Sequence, residues 1–365
     1  MRICELDYRA RRIKFYNHLE KQEIAGYFTD NLVNIRYMTG FTGTAAALFF
    51  TKSRIYMLLD GRYQGSVRED LPEADDLEIV PVDRANSRFE LLGKLIKKGG
   101  LKRLHFERNN LLYNQFRKIL QTLPAVERIY GEDLISRLRQ VKTAAEIKLI
   151  SEALYRTEEL FELVESWIEP GITERQLHRA LRRELESRSA GQAFTPLVLF
   201  GRRTACPHAS ASAHRLAAGE PVLVDMGLKL QGYCSDLTRM FFPGKETAVF
   251  DLYRLSEEIT LKLAEKMVPG VKCSEIAKQG RQLVERAGYS GAVLHGPGHG
   301  LGLEVHERPS LSENSSGVLE SGMVLTLEPG IYCDGVGGGR IEHVVHLGEA
   351  GPEFLDRTAD RGKNC

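Results

Sequence analysis

Two hydrophobic periodicities divide this chain. Over the first 130 residues, short apolar runs such as AAALFFT (45–51), RIYMLLD (54–60) and LEIVPV alternate with helical patterns at 89–98 and 111–123. That alternation predicts an α/β layer, because half-buried strands repeat every second residue and amphipathic helices every three to four. The stretch AVERIYGEDLISRLRQVKTAA (125–145) keeps neither period, and after it a long amphipathic helix is predicted from about Ala144 to Trp167. We place the domain boundary in that break, which gives residues 1–130 and 131–365 as two domains. The remainder predicts a helix at 173–189, strands from about 221 to 242, helices at 247–267 and 273–287, and then glycine-rich strands. Strands flanked by paired helices make the fold class α+β.

Length agrees with this division, since 365 residues exceed the usual size of one hydrophobic core. Fifty basic and forty-nine acidic residues leave a formal charge of +1, which gives no electrostatic reason to expect nucleic acid or an anionic membrane as partner. No apolar run approaches the ~20 residues of a membrane helix. The opening MRICELDYRARRIKF carries charge without a following apolar stretch, so no secretory signal is predicted and a cytoplasmic protein is expected. The six cysteines (4, 206, 234, 273, 333 and 365) include no Cys-x-x-Cys pair and read as reduced thiols. Cys206 stands two residues before His208, but sequence adjacency is not the mark of a catalytic Cys–His pair.

The chemistry concentrates in two acidic hairpins. PVLVDMGLKLQGYCSDLTRMFF places Asp225 and Asp236 in two β-type runs around a turn near Lys229 to Gly232. A hairpin centred between Leu230 and Gln231 sets the two aspartates opposite each other. TLEPGIYCDGVGGGRIEHVV repeats the device, with Glu328 and Glu342 mirrored about Gly335. Facing carboxylates repel unless a cation or proton lies between them, and all four sit in apolar runs where an unpaired charge costs several kcal/mol. Oxygen ligands with one imidazole suit manganese, cobalt, iron or zinc. Four carboxylates are neutralised by two divalent ions, a charge balance that points to a dinuclear site able to generate a nucleophile and hold an oxyanion. VLHGPGHGLGLEVHE supplies His295, His299 and His306, with glycines around His299 that permit close approach of backbone and imidazole to a bound ion or substrate. No Gly-Lys-Ser/Thr follows, so a phosphate loop is disfavoured. His208, in TACPHAS, is a loop histidine suited to donate a hydrogen bond to substrate, whereas His178 and His214 read as structural.

These residues resemble a known family. VDMGLKLQGYCSDLTRMF, GPGHGLGLEVHE, LTLEPGIY and GGRIEHVV are similar, in order and spacing, to the segments of the pita-bread metallopeptidases, which include prolidases, aminopeptidase P and methionine aminopeptidases. NIRYMTGFTGT (34–44) and LLDGRY resemble the N-terminal creatinase-like domain of the prolidase and aminopeptidase P branch. The resemblance implies a pita-bread catalytic domain, two divalent ions (manganese foremost, with cobalt or zinc as alternatives) and hydrolysis of Xaa-Pro bonds by a metal-bridging hydroxide. It implies peptide substrates with proline at the second position and a homodimer. It gives Asp225 to one metal, Asp236 and Glu342 to both as bridges, and His299 and Glu328 to the second. Glu328 becomes the acid/base, with His208 and His306 as catalytic donors. His208, His295, His306 and Arg340 fall at substrate-contacting positions, and Thr238 is expected to bond Asp236.

Two positions depart from the family pattern. His343 replaces the usual Asp after the bridging Glu, and its side chain is expected to face away from the metal. Ser310 stands after Pro309 where many prolidases carry an arginine for a dipeptide's carboxylate, which weakens a strict dipeptidase reading. Retention of all five ligand types argues against the family's other outcomes, a metal-free small-molecule hydrolase or a non-catalytic binding module. A lyase acting at the same metals remains the third alternative.

Overall fold

The structure, a computed structural model, describes residues 5–63, 65, 71, 75–83, 86–188, 191–244 and 247–357. The chain forms two units, Leu6–Arg139 and Gln140–Cys365. The apolar runs of the first unit become a six-stranded sheet, β4-β3-β2-β1-β5-β6, built from β1 (Gly26–Thr29), β2 (Ala46–Thr51), β3 (Ile55–Asp60), β4 (Leu77–Val82), β5 (Arg103–Glu107) and β6 (Glu127–Gly131). Helices Arg88–Gly99 and Tyr113–Thr122 bury Phe89, Leu92, Ile96 and Ile119 in a core shared with Phe28, Phe49, Leu58 and Phe106. The stretch that kept no clear period holds both β6 and a short helix, Leu134–Gln140.

In the second unit, helix Ala144–Trp167 begins where its capping box requires. Thr143 accepts from the Glu146 N–H, and the Glu146 carboxylate accepts from the Thr143 N–H. Its buried stripe of Leu149, Ile150, Ala153, Leu154, Thr157, Leu160, Phe161 and Val164 follows helical spacing. Tyr233 Oη donates to Glu146 Oε1 at 2.8 Å, and Thr157 Oγ1 lies 2.7 Å from Ser235 Oγ. These contacts fix the residue immediately before Asp236 to a rigid helix.

The strands of this unit are β7 (Leu197–Phe200), β8 (Val222–Met226), β9 (Lys229–Leu230), β10 (Tyr233–Cys234), β11 (Leu237–Phe241), β12 (Gly298–Gly300), β13 (Glu307–Leu311), β14 (Val324–Leu327), β15 (Gly330–Cys333), β16 (Gly337–Arg340), β17 (His343–Gly348) and β18 (Gly351–Phe354). They form sheets β11-β8-β7 and β13-β12-β14-β17-β18 with two small ribbons, β9-β10 and β15-β16. Helices Ala248–Ala264 and Cys273–Arg286 supply Leu252, Ile259, Leu263 and Ile276 to a core with Leu325, Leu327, Val345 and Leu347. This mixed helix and sheet architecture is the expected α+β pita-bread fold.

The two hairpins turn differently from each other. The first turn is centred between Gln231 (φ 47°) and Gly232 (φ 94°), so Leu230 faces Tyr233 and Asp225 faces Thr238. The predicted direct opposition of Asp225 and Asp236 is therefore corrected. A two-residue turn needs positive φ at both central positions, and the Gln-Gly pair meets that need where Leu-Gln would not. Because the register differs by two residues, the face is preserved, and the aspartates become diagonal neighbours on one side. The second hairpin has the predicted register. Leu327 faces His343 and Gly330 faces Arg340, which leaves Glu328 and Glu342 opposite each other in a gap between two ladders.

Candidate metal centre

Within that gap the backbone turns to other segments. Glu342 N–H donates to Thr238 O at 3.2 Å and Glu328 N–H to Pro297 O at 2.8 Å. Ser256 Oγ bridges the lapse, donating to Pro329 O and accepting from the Ile341 N–H. The hairpin is thus bent open at the two glutamates, and their side chains line the same cavity as Asp225, Asp236 and His299.

His299 sits on β12, the strand between β13 and β14. Its flanking glycines serve the backbone directly, since a Cβ at Gly298 would lie 2.0 Å from Thr326 O and one at Gly300 2.5 Å from Arg308 O. The backbone is held by Thr326 Oγ1, which accepts the His299 main-chain N–H, and the ring by Gly300 O at 3.2 Å from Nδ1. Nε2 then points at carboxylates, 3.4 Å from Glu328 Oε1 and 3.7 Å from Asp236 Oδ2. Ligand atoms of Asp236, His299 and Glu342 all lie within 4.8 Å of one another.

The electrostatics are those of a cluster lacking positive charge. Burial and the neighbouring carboxylates push Asp236 and Glu342 well above the ordinary carboxylate range. Burial raises Asp225 to about 6 against the opposing pull of Arg340. Glu328 goes the other way, because the hydrogen bond and charge of His299 outweigh its burial. Arg340, 3% exposed, donates to Asp225 Oδ2 at 2.7 Å, to Tyr332 Oη at 2.9 Å and to Thr238 Oγ1 at 3.2 Å. Thr238 donates to Glu342 Oε2 at 3.1 Å, so its hydroxyl serves Glu342 and Arg340 where a bond to Asp236 was expected. Among the described residues, two buried oxygens of the cluster, Asp225 Oδ1 and Glu342 Oε1, have no hydrogen-bond partner. Buried carboxylate oxygens are ordinarily satisfied, and an orphaned pair lining one cavity is the donor set a hard cation takes up.

The cavity encloses about 890 Å³. His208 and His306 are exposed residues on its wall, and the His306 ring meets that of His299 edge-on at 4.3 Å. His295 is more enclosed, with Nε2 2.7 Å from Tyr332 Oη, and burial lowers its pKa. His214 pairs with Glu220 at 3.2 Å, while His178, read from sequence as structural, also lines the cavity. Ser310 lines it too, as do Arg175, Arg179 and Arg308. Sequence reasoning missed Tyr332. Its signal was available in the second hairpin, where Tyr332 and Arg340 fall on diagonal positions of one ladder and therefore on one face.

Comparison with known proteins identifies the family. Residues 148–349 match the model of metallopeptidase family M24, and residues 11–141 that of the creatinase/prolidase N-terminal domain. The chain is 31% identical over 347 residues to the uncharacterized peptidase YqhT of Bacillus subtilis (strain 168), covering 94% of this chain and 97% of the relative. Among solved structures it is similar to an Xaa-Pro dipeptidase from Bacillus anthracis, with a TM-score of 0.88 and 31% identity over 96% of this chain and 98% of that one. It is also similar to an X-Pro aminopeptidase from Thermotoga maritima MSB8, with a TM-score of 0.83 and 27% identity over 93% and 97%.

Proposed function

The chain belongs to metallopeptidase family M24, and from that premise we propose that it hydrolyses Xaa-Pro peptide bonds with two divalent ions held by Asp225, Asp236, His299, Glu328 and Glu342. The observation that carries the metal assignment is the pair of orphaned, buried oxygens on Asp225 and Glu342, set in a cluster three of whose four carboxylates resist ionisation without a cation. The donor set is oxygen-rich with one imidazole, which fits manganese best and accommodates cobalt or zinc. When bound, the ions supply Lewis-acid polarisation of the scissile carbonyl and an activated water.

The remaining work falls to the chain. Asp236 and Glu342, which repel each other in the cluster, would be the carboxylates held by both ions. Glu328, the one carboxylate of the cluster kept below its ordinary pKa, would accept the proton of the attacking water and return it to the leaving proline nitrogen. His208 and His306, exposed on the cavity wall, donate to the substrate carbonyl as it gains charge. Arg340 holds Asp225 and, through Tyr332, orients His295 toward the substrate.

The proline preference rests on the named activities of the two similar structures, one a dipeptidase and one an aminopeptidase. Ser310 leaves position 310 without a carboxylate-binding side chain, and a cavity of about 890 Å³ lies at the roomy end of small-ligand sites. Both features support acceptance of peptides longer than two residues. Protein loaded with manganese, cobalt or zinc is expected to cleave Ala-Pro-Ala before its proline, and assay beside Ala-Pro ranks the two modes. Bound metal without cleavage of either peptide would overturn the reading.

A further inference from the structure

Behind the acidic cluster lies a second set of buried charges, which none of the roles above uses. Arg239, on β11 three residues after Asp236, donates through Nη1 to the carbonyl oxygens of Thr238 and Glu342. Its Nη2 donates to Asp356 Oδ2 at 3.0 Å. The same oxygen accepts from His343 Nδ1 at 2.6 Å, and Asp356 Oδ1 accepts the Val344 N–H at 3.0 Å. The Asp356 side chain is fully buried, and the His343 ring is closed off by Phe354 at 5.4 Å.

This set acts on one residue. Glu342 lies where the β14–β17 and β15–β16 ladders lapse. Its N–H is held by Thr238 O and its C=O by the Arg239 guanidinium, so both backbone groups are tied to β11, the strand that begins beside Asp236. Removing the Asp356 carboxylate would take a buried partner from both Arg239 and His343 and loosen the guanidinium's hold on the Glu342 carbonyl. A carboxylate shared by two ions tolerates only about 0.5 Å of misplacement.

We infer that Asp356, through Arg239 and His343, is a positioning residue for Glu342, setting the separation of the Asp236 and Glu342 carboxylates and hence the affinity for the second ion. This rests on the proposed dinuclear site. His343 is one of the two positions where the sequence departs from the family pattern, and Asp356 is the carboxylate that receives it.

The test titrates manganese into metal-free wild type, Asp356→Asn, Arg239→Lys and Glu353→Gln by calorimetry, well below each protein's unfolding temperature. Glu353→Gln is the control, since that exposed residue pairs with His346 on the neighbouring strand and touches nothing in the site. Wild type and the control are expected to take two ions. Asp356→Asn should weaken the second by about 10- to 100-fold, as the loss of groups that orient ligands does. Arg239→Lys keeps the charge but not the paired donors, should shift in the same direction, and carries the test if Asp356→Asn does not fold. The visible absorption of the cobalt-loaded form should change in both variants.

Wild type that takes fewer than two ions overturns the proposed function and this inference with it. Two ions in wild type, with unchanged affinity and cobalt spectrum in the variants, overturns the positioning role alone, whatever happens to their melting temperatures.

Discussion

The two faces of the Arg340–Val344 segment hold polar clusters of opposite design. In front, four carboxylates share one arginine, two oxygens have no partner, and three pKa values are pushed up. Behind, Asp356 has Arg239, His343 and a backbone N–H, which hold it far below the ordinary range despite its burial. Both clusters are buried, so burial alone does not explain the difference. The rear cluster contains its own cation, Arg239, with further donors to Asp356, whereas the front has a deficit of positive charge that an external cation would fill.

The largest effect should come from removing the carboxylates that create the front's demand for that cation. Glu342→Gln or Asp236→Asn removes a shared charge, and we expect loss of one or both ions by metal analysis with activity reduced by more than about a thousandfold. A fully loaded, active Glu342→Gln protein would erase the distinction between the faces. His306→Ala, which alters the wall rather than the carboxylates, should keep its metal content and lower kcat by about 10²- to 10³-fold. A parallel fall in metal content would make His306 a ligand.

Proton linkage sharpens the comparison further. Burial lifts Asp225 from 3.8 to about 6, so the native metal-free protein binds that proton more tightly than the unfolded chain does. Its stability should therefore fall as pH rises through this window and not recover above it. The melting-temperature difference between metal-free wild type and Asp225→Asn should shrink or reverse from low to high pH, and saturating manganese should remove the trend. A flat difference would mean that Asp225 is not desolvated. The smallest effect is expected from Glu353→Gln, which breaks an ion pair with a 63% exposed carboxylate and should change unfolding free energy by less than about 0.5 kcal/mol in denaturant titration.

Legibility in the sequence followed local signals. Helix Ala144–Trp167 could be read to the residue because a capping box and a helical stripe agree. The second hairpin could be read because its register is centred on Gly335, whose positive φ the sequence advertises. The first hairpin slipped by two because the turn depends on Gln231 adopting a left-handed conformation, which glutamine rarely does. Helix Tyr8–Lys21 left little hydrophobic signal, since its buried face includes Arg11 and Arg12. Arg12 is satisfied by Asp76 and by Met38 O, partners that no periodicity reveals. Asp356 was invisible for the same reason, as the arginine it meets lies 117 residues away. The candidate ligands were legible because chemistry placed unusual charges inside apolar strands. Their support was not, because satisfied buried groups depend on contacts that only the fold creates.

The most direct test of the central claim is anomalous diffraction at the manganese edge from crystals grown with manganese. Two peaks are expected, both touching Asp236 and Glu342, one completed by Asp225 and the other by His299 and Glu328. A site without ions, or one in which the Asp225 and Glu342 oxygens remain unbonded beside a single ion, would contradict the account.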